Sequence, residues 1–306
     1  MDRQVFGAVE VFRVIEWQGS VSGVDEVFPD APQEVWQANA DWLVPDFYDQ
    51  ATGGYPTVVQ TWVLRSAGRT VLIDTGIGNG RDRPQFPPFA GMRTDFLRRL
   101  AAAGVDRHDV DVVVNTHLHY DHVGWNTSRA GAAWTPTFPN ATYLLARADY
   151  DYFHPDSASR RPAPRTEGAQ RDADGSRLMF ADSIEPVERA GQLALWEHGH
   201  RIDATLRLEP APGHTPGSAV VWLESATAHA VFVGDLLHSP LQIRHPDQRS
   251  TFDLDAAQAR DTRRRVLHAA ARSGATVFPA HFRGRGWVTV TAGPHPHEFT
   301  AGLAAS

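Results

Sequence analysis

The chain contains no cysteine. Disulfide staples, thiolate nucleophiles and cysteine-ligated zinc or iron–sulfur sites are therefore excluded, and any metal must be held by nitrogen and oxygen. An excess of basic charge is also missing: 29 Lys and Arg together stand against 36 Asp and Glu, a net charge of −7. A nucleic-acid or anionic-membrane surface needs clustered basic residues, so neither partner is expected. The densest basic run, "DTRRRVLHAAAR" (261–272), reads as the solvated face of a helix. No stretch approaches the ~18 apolar residues of a membrane span. The N-terminus "MDRQVFGAVEVFRVIEW" lacks an apolar h-region and a cleavage signature, so a cytoplasmic protein is expected. Solenoid repeats and long Gly/Ser linkers are absent too.

What is present is 306 residues at 42% hydrophobic content, enough for one large α/β domain or two modest ones. "VFGAVEVFRVI" (5–15) reads as a first strand, and residues 16–56 as an aromatic-studded excursion with Trp36, Trp42, Phe47 and Tyr48. "TVVQTWVLRSAGRTVLIDTG" reads as strand, turn and strand ending at Asp74, followed by a Pro/Phe-rich loop at 81–92. A helix around "RTDFLRRLAAAG" stops at Gly104, and "VDVVVNT" (110–116) is a short buried strand. Residues 155–177 are polar and proline-containing, which predicts a mobile loop. In the second half, "LRLEPA", "SAVVWLE", "HAVFVGD" and "ATVFPA" read as strands, with a helix over 255–273. The irregular alternation predicts a single α/β domain over 1–306, with two sheets enclosed by helices.

One stretch does not belong in a packed core. "NTHLHYDHVGWN" (115–126) places His117, His119, Asp121 and His122 within six positions. Buried without partners, such groups cost on the order of several kcal/mol. Alone, the cluster could be a chance loop in a chain with 15 histidines. Later strand ends add His214 in "APGHTPGS", Asp235 in "VFVGDLLH" and His281 in "VFPAHF", so the loops can converge at one edge of the sheets. Five imidazoles and two carboxylates suit a pair of borderline divalent ions, Zn first, with Mn, Fe or Co as other candidates. His117, His119 and His214 make one site once a water completes it, Asp121, His122 and His281 the second, and Asp235 bridges them. Two ions ~3.5–4 Å apart can share one hydroxide and polarise a substrate oxygen at the same time.

This set, His-x-His-x-Asp-His plus later His, Asp and His, resembles the metallo-β-lactamase superfamily over about residues 57–290. The resemblance implies a four-layer αββα sandwich, two mixed sheets flanked by helices. It also implies that Asp74, in "VLIDTG", orients the ligands from behind. With no Ser-His-Asp or Cys-His arrangement on offer, the expected nucleophile is the shared hydroxide, and Asp121 is the expected proton shuttle. "THLHYDHVG" and "PGHTPG" look most like the lactonase and methyl parathion hydrolase branch. His238, in "GDLLH", matches the phosphotriesterase-like members, where the acyl-homoserine lactonases usually carry a tyrosine; it is expected to act in catalysis beside Asp121.

Trp125 stands where many relatives have the second glycine of "DHxGG"; it is expected either to wall the substrate pocket or to fill core behind the metal loop, and Phe86 and Phe89, on the loop that should hang over the metals, are expected to wall the pocket. Trp36, Trp42 and Phe47 are available as further apolar surface, and Arg81, Arg83 and Arg93 are expected to be solvated at the loop's edges. The remaining histidines, such as His108, His154, His198, His200, His229, His245 and His268, read as ordinary surface or core residues. A glyoxalase-type thioesterase would need a C-terminal helical domain, for which 282–306 leaves no room. An RNA-processing relative would need basic surfaces, and a flavodiiron oxidoreductase a flavodoxin domain. The expected function is a dinuclear hydrolase that cleaves a lactone or carboxylic ester, with phosphotriester turnover alongside. An organophosphate hydrolase of the methyl parathion type is the alternative, and a mononuclear iron oxygenase the alternative outside the hydrolases. The expected partner is a small ester-like molecule, and a homodimer stays open.

Overall fold

A computed structural model of the chain describes residues 3–158, 163–226, 228–295 and 297–303. The chain divides into two compact units that are interleaved in sequence. Unit 1 comprises Val9–Glu16 and Val59–His198; unit 2 comprises Asp2–Ala8, Trp17–Val58 and Gly199–Ser306.

The sheet of unit 1 runs in the order Val9–Gly23 (through Glu16), Gly54–Ser66 (from Val59), Arg69–Ile73, Val112–Val114, Thr142–Ala146, Leu193–Trp196. The strand Val112–Val114 has parallel partners on both sides, Arg69–Ile73 and Thr142–Ala146. That explains its composition: a parallel strand covered on both faces is an unbroken apolar run. The helix Phe96–Ala102 turns Phe96 and Leu100 into a core shared with Phe12, Leu72, Val113, Trp125 and Tyr143. It ends at Gly104, whose φ of +85° ordinary residues rarely adopt. A second cluster gathers Leu118, Val123, Leu145, Phe153, Met179 and Phe180.

The segment 155–177 is not one loop. It holds a short helix, Pro155–Ala158, and the start of a long one, Glu167–Ser183; residues 159–162 lie outside the described residues. The long helix begins where the Thr166 side chain accepts a hydrogen bond from Ala169 N at 3.1 Å, and it is held by burying Met179 and Phe180. Capping and two apolar anchors override the polar composition.

In unit 2 the sheet order is His200–Arg201, Leu206–Pro210, Ala219–Glu224, His229–Gly234, Thr276–Pro279, Val288–Ala292, Phe299–Gly302. All neighbours are antiparallel except His229–Gly234 and Thr276–Pro279, which are parallel. The helix Ala256–Ser273 buries Val266, Leu267 and Ala270 in a core with Val220, Val231 and Val277. Trp36, Phe47 and Tyr48 also belong to that core, with Trp36 wedged between Phe28 and Tyr48 at ring distances of 5.1 and 5.8 Å. Trp36 and Phe47 are thus structural, and Trp42 is covered by Arg244, 4.1 Å above its ring. The predicted strand 5–15 breaks at Gly7, φ +63°, into Gln4–Phe6 and Val9–Gly23. The basic run 261–272 is helical, but its face is not all solvated: Arg263 is buried.

Candidate metal centre

Unit 1 delivers four donors from one turn. Ile73 pairs with Val114 in parallel register, so the segments that start at Asp74 and Asn115 leave the sheet at the same end. They then bond to each other directly. Thr75 N donates to His122 O at 2.7 Å, Gly124 N to Gly76 O at 2.7 Å and Trp125 N to Thr75 O at 2.8 Å. The contact is close enough to require glycine: a Cβ on Gly124 would sit 1.9 Å from the carbonyl carbon of Ile77. Asp74 adopts φ +58°, a strained value for a non-glycine residue. Its carboxylate accepts from Thr116 N (2.8 Å), Thr116 Oγ1 (2.8 Å) and His122 Nδ1 (2.9 Å). The resulting turn brings ligand atoms of His117 and His119 within 4.8 Å of each other, and those of Asp121 and His122 likewise.

Unit 2 delivers donors from three loops. Asp235 and His281 follow the parallel pair His229–Gly234 and Thr276–Pro279, and therefore leave its sheet at one end; Ala280 N donates to Gly234 O at 3.2 Å. His214 lies in a loop pressed on the N-terminus of Ala256–Ser273, where a Cβ on Gly213 would lie 2.2 Å from Ala259 N. Asp255 N donates to Gly213 O (2.9 Å), Leu254 N to His214 O (3.1 Å), and Thr262 Oγ1 to Pro212 O (2.7 Å). Asp253 stands behind His214, accepting from Nδ1 at 3.1 Å while facing Arg263 at 3.4 Å. Burial alone would raise the Asp253 carboxyl, but His214 and Arg263 hold it below the ordinary carboxylate range.

The imidazoles share one orientation. His122, His214 and His281 point Nδ1 at Asp74, Asp253 and the carbonyl of Val58, at 2.9, 3.1 and 2.8 Å. These oxygens only accept, so Nδ1 carries the proton in each. Thr116 Oγ1 donates to Asp74, so it too accepts from His117 Nδ1, at 3.1 Å. Nε2 is then the lone-pair nitrogen of all four rings, the tautomer a metal requires. In unit 2, His281 Nε2 faces Asp235 Oδ1 at 3.1 Å and His214 Nε2 faces Oδ2 at 3.4 Å. A lone pair against a carboxylate oxygen is repulsive unless positive charge, a second proton or a metal cation, lies between them. The donor set fits a divalent ion.

His238 is buried, with Nε2 3.2 Å from Asp235 Oδ2. Burial lowers its pKa, with Asp235 pulling the other way. Tyr55 Oη donates to its carbonyl at 2.7 Å. Phe86 and Phe89 pack together on the loop after Asp74, and Phe86 stacks on Tyr120 at 5.7 Å. Trp125 fills the core behind the turn, where it stacks on Phe96 at 5.6 Å and donates Nε1 to Glu16 at 2.7 Å. Arg93 is exposed as expected, but Arg81 and Arg83 are buried. Tyr120, Asp253 and Glu16 escaped sequence reasoning. Tyr120 was visible between His119 and Asp121, whereas Asp253 and Glu16 act across 39 and 109 residues of chain and leave no local pattern.

The model of the metallo-β-lactamase superfamily matches residues 54–281. An N-acyl homoserine lactonase, AttM, from Azorhizobium caulinodans is 33% identical over 124 residues, which cover 40% of this chain and 38% of that protein. The ribonuclease TTHA0252 of Thermus thermophilus is 28% identical over 181 residues, covering 57% of this chain and 34% of the ribonuclease. These matches span well under two thirds of either relative. Among solved structures, the hydrolase AbOPH of the β-lactamase superfamily has a TM-score of 0.81 at 23% identity, covering 99% of this chain and 97% of its own. The dizinc quorum-quenching lactonase AidC has a TM-score of 0.76 at 20% identity, covering 100% and 97%. The shared fold is the mixed α/β type, with two large mixed sheets and helices, and the histidine-aspartate turn, the strand-end donors and the match over most of the chain agree. The chain belongs to the metallo-β-lactamase superfamily.

Proposed function

We propose that the protein is a dinuclear hydrolase that cleaves a lactone or carboxylic ester. In this reading His117, His119 and His214 hold one ion, Asp121, His122 and His281 the other, and Asp235 serves both. Zinc is the proposed ion. The observation that carries the reading is the tautomer pattern: four imidazoles have Nδ1 pinned to a protein oxygen, so that each keeps Nε2 as its ligand atom. Asp235 supports the shared position, because its two oxygens face different histidines of unit 2. When bound, such ions supply Lewis acidity and bring the pKa of water toward neutrality.

The chain's own groups do the rest. Asp121, half-buried in the turn, takes the proton released by the attacking water and passes it to the leaving oxygen. His238, with Nε2 3.2 Å from Asp235 Oδ2, either steadies Asp235 or donates its one N–H to the substrate oxygen. Phe86 and Phe89 receive the apolar part of the ester, contributing about 25 cal/mol per Å² of surface removed from water. An ester-like substrate agrees with the lactonase names of AttM and AidC.

A turnover panel on metal-quantified protein tests this reading. Lactones and aryl esters should be hydrolysed best, with kcat/KM rising as the acyl tail lengthens, and a phosphotriester more slowly. A preference for a β-lactam or for small anionic substrates would overturn it.

A further inference from the structure

The Pro/Phe-rich loop of unit 1 stands on buried charges that the proposed chemistry does not use. Arg81 and Arg83, at its base, are 1% and 0% exposed. One carboxylate, Asp182 near the end of Glu167–Ser183, serves both. Arg83 grips it with two nitrogens, Nη1 to Oδ2 at 2.8 Å and Nη2 to Oδ1 at 2.9 Å. Arg81 Nη1 reaches Oδ1 at 2.8 Å. Arg81 also donates to the carbonyls of Gly124 and Thr127, and its guanidinium lies 4.2 Å over the ring of Trp134. Burial pushes Arg81 down to about 10, so it remains a cation at neutral pH. Two buried cations on one buried anion is a costly arrangement, retained where it fixes geometry.

The loop hangs from these arginines. Its ends are tied together, Gly80 N to Met92 O and Gly91 N to Arg81 O, both at 2.8 Å. Phe86 N donates to the carbonyl of Arg83 at 3.0 Å, and Phe89 N to that of Phe86 at 3.0 Å. The same helix lies against the middle of the loop, where the Gln85 amide occupies the space beside Gly175, 1.9 Å from where a Cβ would stand. The outcome is the ring geometry already described, Phe86 stacked on Tyr120 with 20° between the planes.

We propose that Asp182 is a positioning residue for substrate selectivity: through Arg83 and Arg81 it fixes the 81–92 loop, so that the apolar tail of the ester meets a rigid aromatic face. This rests on the reading of Phe86 and Phe89 as the wall for that tail. The side chain of Asp182 bonds to Arg81, Arg83 and Ser183, none of them a metal donor. Arg81, which also grips the Gly124 carbonyl of the metal turn, is itself left in place, so loss of the Asp182–Arg83 clamp separates selectivity from the reaction itself. A face that must be ordered on binding gives back part of what burial contributes.

The test compares Asp182→Asn and Arg83→Lys with wild type as metal-loaded enzymes. Asp182→Asn removes the charge. Arg83→Lys keeps it but loses the two-pronged grip, and serves if the first variant folds poorly. Three quantities are read: metal content, kcat and KM for esters with short and long acyl tails, and chymotryptic cutting at Phe89–Ala90. Both variants should keep their metal and turn over the short-tail ester within about threefold, while the long-tail advantage falls about tenfold or more through KM. The Phe89–Ala90 bond should become open to the protease. An equal loss on both tails, with metal lost as well, would show a merely structural role and overturn the proposal. A wild-type tail preference that both variants retain would overturn it while leaving the wall intact. A wild type with no tail preference would sink the wall reading, and this proposal with it.

Discussion

The two units supply metal donors by different architectures. Unit 1 places four within six residues of one turn, supported by backbone hydrogen bonds to the segment after Asp74 and by a glycine contact with no room for a side chain. Unit 2 draws His214, Asp235 and His281 from three loops, each with its own support: Asp253 and the helix Ala256–Ser273 for His214, the parallel strand pair for Asp235, the Val58 carbonyl for His281. A single turn is placed as a whole and should fail as a whole. Separate loops should fail one at a time.

The largest effect expected from that difference is at Gly124. The 1.9 Å approach to Ile77 cannot be relieved by a side-chain rotation, because both partners are backbone. Gly124→Ala should shift the entire turn, with a cost at or above the ~1–3 kcal/mol of ordinary overpacking. Elemental analysis should find metal content close to zero, and a melting curve a lower Tm; a variant that keeps its metal would mean the turn moves without disturbing its donors. In unit 2, Asp253→Asn weakens the hold on one histidine. Removing such a support typically costs about 10–100-fold in metal affinity or activity. Chelator competition should show one ion weakened and the other unchanged, and equal weakening of both would break the contrast.

His238→Ala should cost less, roughly tenfold in turnover with metal content unchanged. Wild-type kinetics would make His238 a packing residue. The smallest effect is at Glu16 of unit 1. It is buried beneath the turn and accepts from Ile77 N at 2.6 Å, Trp125 Nε1 at 2.7 Å and Thr94 Oγ1 at 3.0 Å. Burial raises its pKa above the ordinary 4.5, and the hydrogen bonds oppose that only in part. A carboxyl raised on folding binds more protons in the native state, so its contribution to stability falls as pH rises from the unfolded value through the folded one. Relative to Glu16→Gln, the wild type should lose Tm as pH climbs above about 4.5. A constant Tm difference across that range would contradict the raised value.

The same contrast explains what could be read from the sequence. "HLHYDH" was legible because all its donors lie on one turn, and Asp235 and His281 because each follows an apolar strand. Asp253, Glu16 and Asp182 were not legible, since the partners that give them their roles here, His214, the turn after Asp74 with Trp125, and the two arginines, lie 39, 61–109 and 99–101 residues away and no spacing rule reaches that far. Trp125 stayed open between pocket wall and core because nothing local to the metal-ligand turn shows the buried acceptor on Val9–Glu16. The helix Glu167–Ser183 was hidden by its polar composition, although Thr166 carried the capping signal. Arg81 and Arg83 were assigned to solvent from their proline-rich surroundings, and only the folded helix reveals the carboxylate that takes them inside.

The central proposal is a dinuclear centre, with Asp235 shared by its two ions. Its most direct test is the metal stoichiometry of the purified protein, measured by elemental analysis beside Asp235→Ala. The account predicts two divalent ions per chain in the wild type, and the loss of one ion with nearly all activity in the variant. One tightly held iron per chain with no zinc or manganese, or a variant that keeps both ions, would contradict it.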